Sequence, residues 1–231
     1  MITIRKAAER GHFNHGWLNT YHTFSFAAYY DPAHVSFRAL RVINDDTVAP
    51  SGGFSPHGHK DMEIITYIIS GALAHRDSMG NERTIRTGEV QAMSAGTGVQ
   101  HSEFNASDSE PVHLLQIWIT PHTKNVPPSY DEWMPEQAKP NAWTLAVSGD
   151  GAEGSTHIHQ DARMYVGLFD RETALEAPLA AGRYGWLQVA KGTADINGIK
   201  LVQGDGASFS AEDRARITAA PGTTLLLFDL A

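Results

Sequence analysis

The chain of 231 residues contains no cysteine and no long hydrophobic run. Without cysteine it cannot form a disulfide, an iron–sulfur cluster, a thiolate zinc site or a cysteine nucleophile. No apolar stretch approaches the ~20 residues that a membrane-spanning helix requires. Basic residues are also scarce, with 18 Lys and Arg against 26 Asp and Glu and a formal net charge of −8. This balance argues against direct nucleic-acid binding, because neutralising phosphates requires clustered positive charge.

The first ten residues lack the apolar segment of an export signal and include an acid, Glu9. We therefore expect a cytoplasmic protein with no membrane partner. Histidine, in contrast, is frequent, with 12 residues in the chain. Any bound metal would have to be held by imidazole, carboxylate or backbone oxygen.

Short runs of alternating or β-branched apolar residues, separated by glycine and proline, predict strands rather than helices. The best helical candidate is a turn or two at residues 130–137, and the pattern as a whole predicts an all-β sandwich or barrel. The clearest strand candidates are residues 37–44, 63–69, 112–120, 184–190 and 223–229.

Two halves of the chain share a spacing of strands and glycines that suggests a duplicated β-domain. A strand that ends at Gly71 and a turn at Gly88 in the first half match a strand that ends at Gly192 and a turn at Gly204 in the second. Five prolines between residues 121 and 140 exclude a central strand or a long helix there. We therefore predict an N-terminal metal-binding domain at residues 1–125, a proline-rich connection at 126–140 and a degenerate C-terminal domain at 141–231.

Two pairs of polar residues carry the pattern of a metal site. His57 and His59 are two residues apart, as are His101 and Glu103, so on strands each pair would point to one face. Two such strands side by side would offer three imidazoles and one carboxylate, a set that suits iron, zinc, nickel, manganese or copper as divalent ions. The alternative is that these are ordinary surface or core histidines with satisfied hydrogen bonds.

The spacings His57-x-His59-x3-Glu63 and Gly98-x2-His101-x3-Asn105 resemble the two motifs of the cupins. The C-terminal half shows only a degenerate cupin pattern and the ending Leu225-Leu-Leu-Phe-Asp-Leu230. A larger set of segments resembles the pirin family: Asn14-His15-Gly16-Trp17, His22-Thr23-Phe24-Ser25-Phe26, Arg41-Val42-Ile43-Asn44-Asp45-Asp46, His57-Gly-His59-Lys-Asp-Met-Glu63 and Met93-Ser94-Ala95-Gly96-Thr97-Gly98-Val99-Gln100-His101-Ser102-Glu103.

This resemblance implies two jelly-roll-like cupin barrels, with one divalent metal ion in the N-terminal barrel held by His57, His59, His101 and Glu103. We expect iron, with zinc, nickel, copper or manganese as alternatives. General cupins take their carboxylate ligand from the first motif, which here would be Glu63. The pirin pattern favours Glu103 and leaves Glu63 as a supporting residue behind the ligands.

For bacterial members the resemblance implies quercetin 2,3-dioxygenase activity, with a flavonol and O2 as substrates and Glu103 as the residue that accepts the flavonol proton. The alternative is a non-enzymatic regulator that acts through protein contacts. We also expect a monomer. His157-x-His159 repeats the ligand spacing, but Arg163 stands where a carboxylate would be needed, so we expect no second intact site. The other histidines are interpreted as packing or hydrogen-bonding residues: His12, His15, His22, His34, His75, His113 and His122.

Overall fold

The computed structural model describes residues 1–231 and consists almost entirely of β-strands. Its helical segments are four single 3-10 turns, and none is long and apolar enough to span a membrane. The turns are Ala7–Glu9, Pro135–Gln137, Ala152–Gly154 and Ala211–Asp213.

Twenty-two strands follow one another along the chain. The first twelve are β1 (Thr3–Arg5), β2 (Gly11–Asn14), β3 (Leu18–His22), β4 (Leu40–Val48), β5 (Gly53–His59), β6 (Glu63–Ser70), β7 (Ala72–Asp77), β8 (Glu82–Arg86), β9 (Val90–Ser94), β10 (Val99–Asn105), β11 (Val112–Ile119) and β12 (Ser129–Trp133). The other ten are β13 (Trp143–Ser148), β14 (Thr156–His157), β15 (Ala162–Phe169), β16 (Thr173–Glu176), β17 (Tyr184–Lys191), β18 (Thr193–Ile196), β19 (Ile199–Val202), β20 (Gly206–Ser210), β21 (Arg216–Ala219) and β22 (Thr223–Leu230).

Each half of the chain forms a seven-stranded sheet and a four-stranded sheet. The N-terminal sheets have the orders β12-β9-β6-β11-β4-β3-β2 and β5-β10-β7-β8. The C-terminal sheets have the orders β1-β20-β17-β22-β15-β13-β14 and β16-β21-β18-β19. The strand orders of the N-terminal sheets correspond to those of the C-terminal sheets, so that β6 takes the position of β17 and β5 takes the position of β16. This topology confirms the predicted duplicated all-β fold with two cupin-type domains.

Two strands extend the sheets across the predicted domain limits. β12, from the proline-rich segment, pairs with β9, and β1, at the start of the chain, pairs with β20. The helix predicted at residues 130–137 is therefore wrong over most of its length. Exposure alternates along β12 with a period of two, which fits an edge strand, and only Pro135–Gln137 makes a helical turn. The division into residues 1–125, 126–140 and 141–231 stays a prediction.

The strand predictions near residues 63, 112, 184 and 223 are confirmed by β6, β11, β17 and β22. The prediction at residues 37–44 is displaced, because β4 begins only at Leu40. Arg38 has a φ of 55°, and Phe37 pairs with Leu40 in an isolated bridge. The chain therefore turns sharply before the strand begins.

Alternation along the strands divides the apolar side chains between the interface of the two domains and the interiors of the two barrels. One face of each seven-stranded sheet packs against the other domain, and a single apolar cluster there includes Ile65 and Ile117 from the first sheet with Met164 and Phe228 from the second. The C-terminal barrel is filled by its own apolar cluster. In the N-terminal barrel, a smaller cluster around Ile68 leaves room for polar side chains and a cavity.

Candidate metal centre

Three histidines meet in the N-terminal barrel because β5 and β10 run antiparallel as neighbours. His101 lies opposite His57, and Val99 lies opposite His59. The ring centroids are 4.4 Å apart for His57 and His101, and 4.8 Å apart for His59 and either of the other two. One potential ligand atom from each of the three residues lies within 4.8 Å of the others. The structure thus brings the three predicted imidazoles together.

A tight glycine turn between β9 and β10 directs His101 towards β5. Gly96 has a φ of +45°, and a Cβ there would lie 2.0 Å from the carbonyl oxygen of Val126, so only glycine fits. The N–H of Gly98 donates to the carbonyl of Ala95 at 2.9 Å and closes the turn. The glycine-rich segment before His101 therefore serves the geometry of the site.

Two of the imidazoles, those of His59 and His101, are suited to metal binding because burial favours their neutral form. Burial lowers the pKa of His101 to about 3 and that of His59 to about 4. The ring of His57 is oriented by its Nδ1, which is 2.9 Å from the carbonyl oxygen of Ser55. Both ring nitrogens of His101 are buried and have no hydrogen-bond partner in the protein. Neutral imidazoles with unpartnered nitrogens are the form that binds a divalent transition metal.

Glu103 lies beside His101 at the inner side of this cluster. Its side chain is buried, and Oε2 accepts a hydrogen bond from Nε2 of Gln116 at 3.0 Å, whereas Oε1 has no partner. Burial raises the pKa of Glu103 to about 7. Its carboxylate lies within 4.8 Å of potential ligand atoms of His101 and His75. Glu103 thus places an unpartnered carboxylate oxygen next to the imidazoles of His101 and His75.

Glu63 is not brought to the imidazoles, although it is buried. On β6 it shares a face with Ile65, which packs against the C-terminal domain, so its side chain points away from the barrel interior. It accepts a hydrogen bond from Ser94 and faces the backbone of His159. The expected supporting contact of Glu63 with the ligands is therefore absent, because a one-residue offset on a strand reverses the face.

The sequence reasoning missed His75 and Asp77 on β7, the strand on the other side of β10. Both side chains are buried, and Nε2 of His75 is 3.2 Å from Oδ2 of Asp77. The rings of His75 and His101 have their centroids 5.4 Å apart. The signal was present as a third pair of polar residues two positions apart, His75-x-Asp77, on a strand near the two recognised pairs.

A cavity of about 560 Å³ opens onto the three histidines, a volume typical of a small-molecule site. Asn44 and Asp46 on β4, and Gln116 and Trp118 on β11, reach it because residues two apart share a face. Burial raises the pKa of Asp46 to about 7. The complete lining is Trp17, Phe26, Asn44, Asp46, Gly53, Phe54, Ser55, His57, His59, His101, Glu103, Gln116 and Trp118.

The pair His157 and His159 lines a different cavity of about 440 Å³, together with Asp150 and Arg163. Its strand, β14, does not occupy the position of β5 in the C-terminal domain. The strands that correspond to β5 and β10 are β16 and β21, whose sequences, Thr-Ala-Leu-Glu and Arg-Ile-Thr-Ala, contain no histidine. His157-x-His159 therefore repeats the spacing of His57-x-His59 without occupying the corresponding strand.

Comparisons with known proteins cover nearly the whole chain. A family model described as "Pirin" matches residues 3–119, and one described as "Quercetinase C-terminal cupin domain" matches residues 145–230. A protein of Escherichia coli strain K12 named quercetin 2,3-dioxygenase is 46% identical over 230 residues, which cover 100% of this chain and 99% of that protein. A pirin-like protein of Caulobacter vibrioides is 39% identical over 234 residues, with 100% of both chains covered.

A solved structure shares the same architecture. The crystal structure of the bacterial pirin YhhW from Escherichia coli, in complex with nickel(II), superposes with a TM-score of 0.94 at 46% sequence identity. The match covers 100% of this chain and 99% of that one.

Proposed function

Because the chain belongs to the pirin family, we propose that it is a metal-dependent dioxygenase that cleaves the heterocyclic ring of a flavonol such as quercetin with O2. The observation that carries this proposal is the aromatic-walled cavity that opens directly onto the clustered imidazoles of His57, His59 and His101. The name of the Escherichia coli relative, quercetin 2,3-dioxygenase, and the quercetinase-type C-terminal domain support it.

We assign one divalent transition metal ion to His57, His59, His101 and Glu103. The unpartnered nitrogens of His101 and Oε1 of Glu103 fit this role, because buried polar atoms without partners are costly unless a ligand engages them. When bound, such an ion supplies Lewis-acid stabilisation of negative charge on a substrate oxygen. We propose iron, with nickel, the ion in the YhhW complex, and zinc, copper or manganese as alternatives.

The aromatic residues of the cavity are suited to hold a flat, fused-ring substrate. Trp17 and Phe54 make an edge-to-face pair on one side, with centroids 5.1 Å apart, and Phe26 and Trp118 make another, with centroids 5.3 Å apart. The ring of Trp118 also contacts His59, with centroids 5.1 Å apart. A planar substrate between these walls would present its edge to the histidines and exclude water from them.

Polar atoms of the cavity suit a substrate with several hydroxyl groups. Oδ1 of Asn44, Oδ1 of Asp46 and Nε1 of Trp118 are buried and have no partner in the protein. Two of these atoms are oxygens that can accept hydrogen bonds from phenolic hydroxyls, while the indole N–H can only donate. These groups would fix the orientation of a polyhydroxylated ring system.

We assign to Glu103 the removal of the flavonol hydroxyl proton. Gln116 holds Oε2, so Oε1, the atom that we also assign to the metal, would accept the proton after it leaves the ion. Burial, which raises the pKa of this carboxyl group to about 7 in the absence of metal, makes it a stronger base than an exposed carboxylate.

The proposal is tested by incubating tag-free protein with quercetin in air and following the loss of the flavonol absorbance band. The protein is loaded separately with iron, nickel, copper, manganese or zinc, and a chelated sample and the His101→Ala variant serve as controls. We expect loss of absorbance with at least one metal and none in either control. If no metal supports it, the proposal fails and the regulatory alternative is favoured.

Location and assembly stay predictions. We propose a cytoplasmic monomer whose partners are the flavonol and O2, without direct nucleic-acid or membrane binding. A regulatory protein partner is a further prediction of the family resemblance.

A further inference from the structure

A buried His75–Asp77 pair lies directly behind the histidine cluster. On the antiparallel neighbours β7 and β10, Asp77 is opposite His101 and His75 is opposite Glu103. Residues two apart share a face, so all four side chains lie on the same side of this sheet. The side chains of His75 and Asp77 are completely buried. The pair is therefore within reach of the two residues of β10 that we assign to the metal.

Asp77 fixes which nitrogen of His75 carries the proton. Its Oδ1 accepts the backbone N–H groups of Met79 and Asn81, and its Oδ2 accepts the side-chain amide of Asn81 at 2.8 Å. The same Oδ2 is 3.2 Å from Nε2 of His75. An ionised carboxylate can only accept, so Nε2 of His75 must donate. In the neutral ring, Nδ1 of His75 is then a hydrogen-bond acceptor.

Other buried groups near His75 also lack partners. Nδ1 of His75, both nitrogens of His101 and Oε1 of Glu103 are buried without a hydrogen bond. Potential ligand atoms of the three residues lie within 4.8 Å of one another. If Glu103 and one nitrogen of His101 bind the ion, the remaining unpaired atoms are the second nitrogen of His101, which carries the proton of the neutral ring, and Nδ1 of His75. The N–H of His101 is thus the remaining donor, and Nδ1 of His75 is the remaining acceptor.

We propose that His75 is a positioning residue, whose Nδ1 accepts the N–H of His101 directly or through one buried water and so keeps the other nitrogen of His101 free for the metal. The inference rests on the proposed ligand set. His57 provides a parallel, because the carbonyl of Ser55 occupies its Nδ1 in the same way. Partners of this kind orient metal-binding histidines and select their tautomer.

The sharpest test is Asp77→Asn. The amide that replaces Oδ2 would donate to Nε2 of His75, so the proton of the neutral His75 ring would move to Nδ1. Nδ1 of His75 and the N–H of His101 would then both be donors and could not form a hydrogen bond with each other. We expect the affinity for Ni2+, measured by competition with a chelator, to fall about 10- to 100-fold. Long-range 1H–15N spectra of the metal-free protein should show the protonated nitrogen of His101 changing at the same time.

Asn81→Ala is the matched control, because Asp77→Asn also loses the contact of Oδ2 with the Asn81 amide. This variant removes that contact but keeps the carboxylate next to His75. We expect its Ni2+ affinity and its His101 spectrum to match those of the wild type. An equal loss of affinity in both variants would attribute the effect to the turn and overturn the inference.

A second pair of variants separates hydrogen bonding from packing at His75. Asn and Leu have similar shapes, but only the Asn side chain offers an oxygen near the position of Nδ1. We expect His75→Asn to bind Ni2+ within a few-fold of the wild type, and His75→Leu to bind as weakly as Asp77→Asn. Equal affinity in the two His75 variants would contradict the inference.

These measurements do not depend on quercetin turnover. If Asp77→Asn weakens Ni2+ binding and changes the His101 tautomer while no flavonol is consumed by any sample, the positioning role stands and the proposed function fails. If the flavonol is consumed but neither Ni2+ affinity nor the tautomer responds to Asp77→Asn, the positioning role fails alone.

Discussion

Glu103 should contribute a large part of the pH dependence of metal binding, and the variant Glu103→Gln should remove that part. A metal binds the carboxylate only after its proton has left, so protons compete with the metal below the pKa of the group. Burial raises the pKa of Glu103 to about 7, and at pH 5 the carboxyl group is almost fully protonated. His59 and His101, with pKa values lowered by burial to about 4 and 3, are mainly neutral over this range and add little competition.

The magnitude follows from the titration of one group. Between pH 7 and pH 5 the ionised fraction of a carboxyl group with a pKa of 7 falls about 50-fold. The ratio of the Ni2+ affinity of the wild type to that of Glu103→Gln should therefore fall about 50-fold over the same interval. Taking the ratio cancels the contributions of the histidines, which both proteins share. Affinity should be measured by isothermal titration in several buffers, which also counts the protons released.

Asp46→Asn provides the control for this experiment. Burial raises the pKa of Asp46 to about 7 as well, but we do not assign Asp46 to the ligand set. The pH dependence should therefore persist in this variant, with its midpoint at a lower pH because the charge of Asp46 also raises the pKa of Glu103. A wild-type to Glu103→Gln ratio that is the same at pH 5 and pH 7 would refute the assignment of Glu103 as the ionisable ligand.

Three further outcomes are expected. His57→Ala should lose most of its metal and its flavonol turnover, as metal analysis and the absorbance assay would show, and full turnover in a metal-free sample would contradict the account. Trp118→Phe keeps the aromatic wall but removes the unpartnered indole N–H. KM for quercetin should therefore rise about three- to tenfold, which corresponds to about 0.5–1.5 kcal/mol for one lost hydrogen bond. An unchanged KM would exclude a hydrogen bond from this N–H to the substrate. Because the pKa of Asp46 is raised in the folded state, the folded protein loses stability relative to the unfolded chain as the pH rises from about 4 through 7. In urea unfolding, Asp46→Asn should be more stable than the wild type by on the order of 4 kcal/mol at pH 8 and by little at pH 4. An equal gain at both pH values would refute this cause.

The sequence predicted the parts of the fold and the site that depend on local spacing. Two-residue spacing placed His57 with His59 and His101 with Glu103. The pairing of the two strands required a tertiary contact. The duplicated glycine and strand pattern indicated a duplicated β-domain, and the resemblance to the cupins and pirins implied the barrels.

The positions of Glu63, His75 and the His157–His159 pair could not be predicted from the sequence. They depend on which face of a sheet a residue occupies and on which strands become neighbours. Glu63 is one residue out of phase with Ile64, so it points to the other domain, and spacing within the motif does not reveal this. His75 became part of the site only because β7 is the neighbour of β10. The pair His157 and His159 has the ligand spacing, but its strand occupies a different place in the barrel.

Oxygen uptake tests the central claim most directly. Quercetin is added to metal-loaded, tag-free protein in a closed chamber, and dissolved O2 and flavonol absorbance are followed together in the wild type and in His101→Ala. The account predicts one O2 consumed for each quercetin lost in the wild type and no uptake in the variant. Wild-type protein that retains its metal but consumes no O2, or equal uptake by His101→Ala, would contradict it.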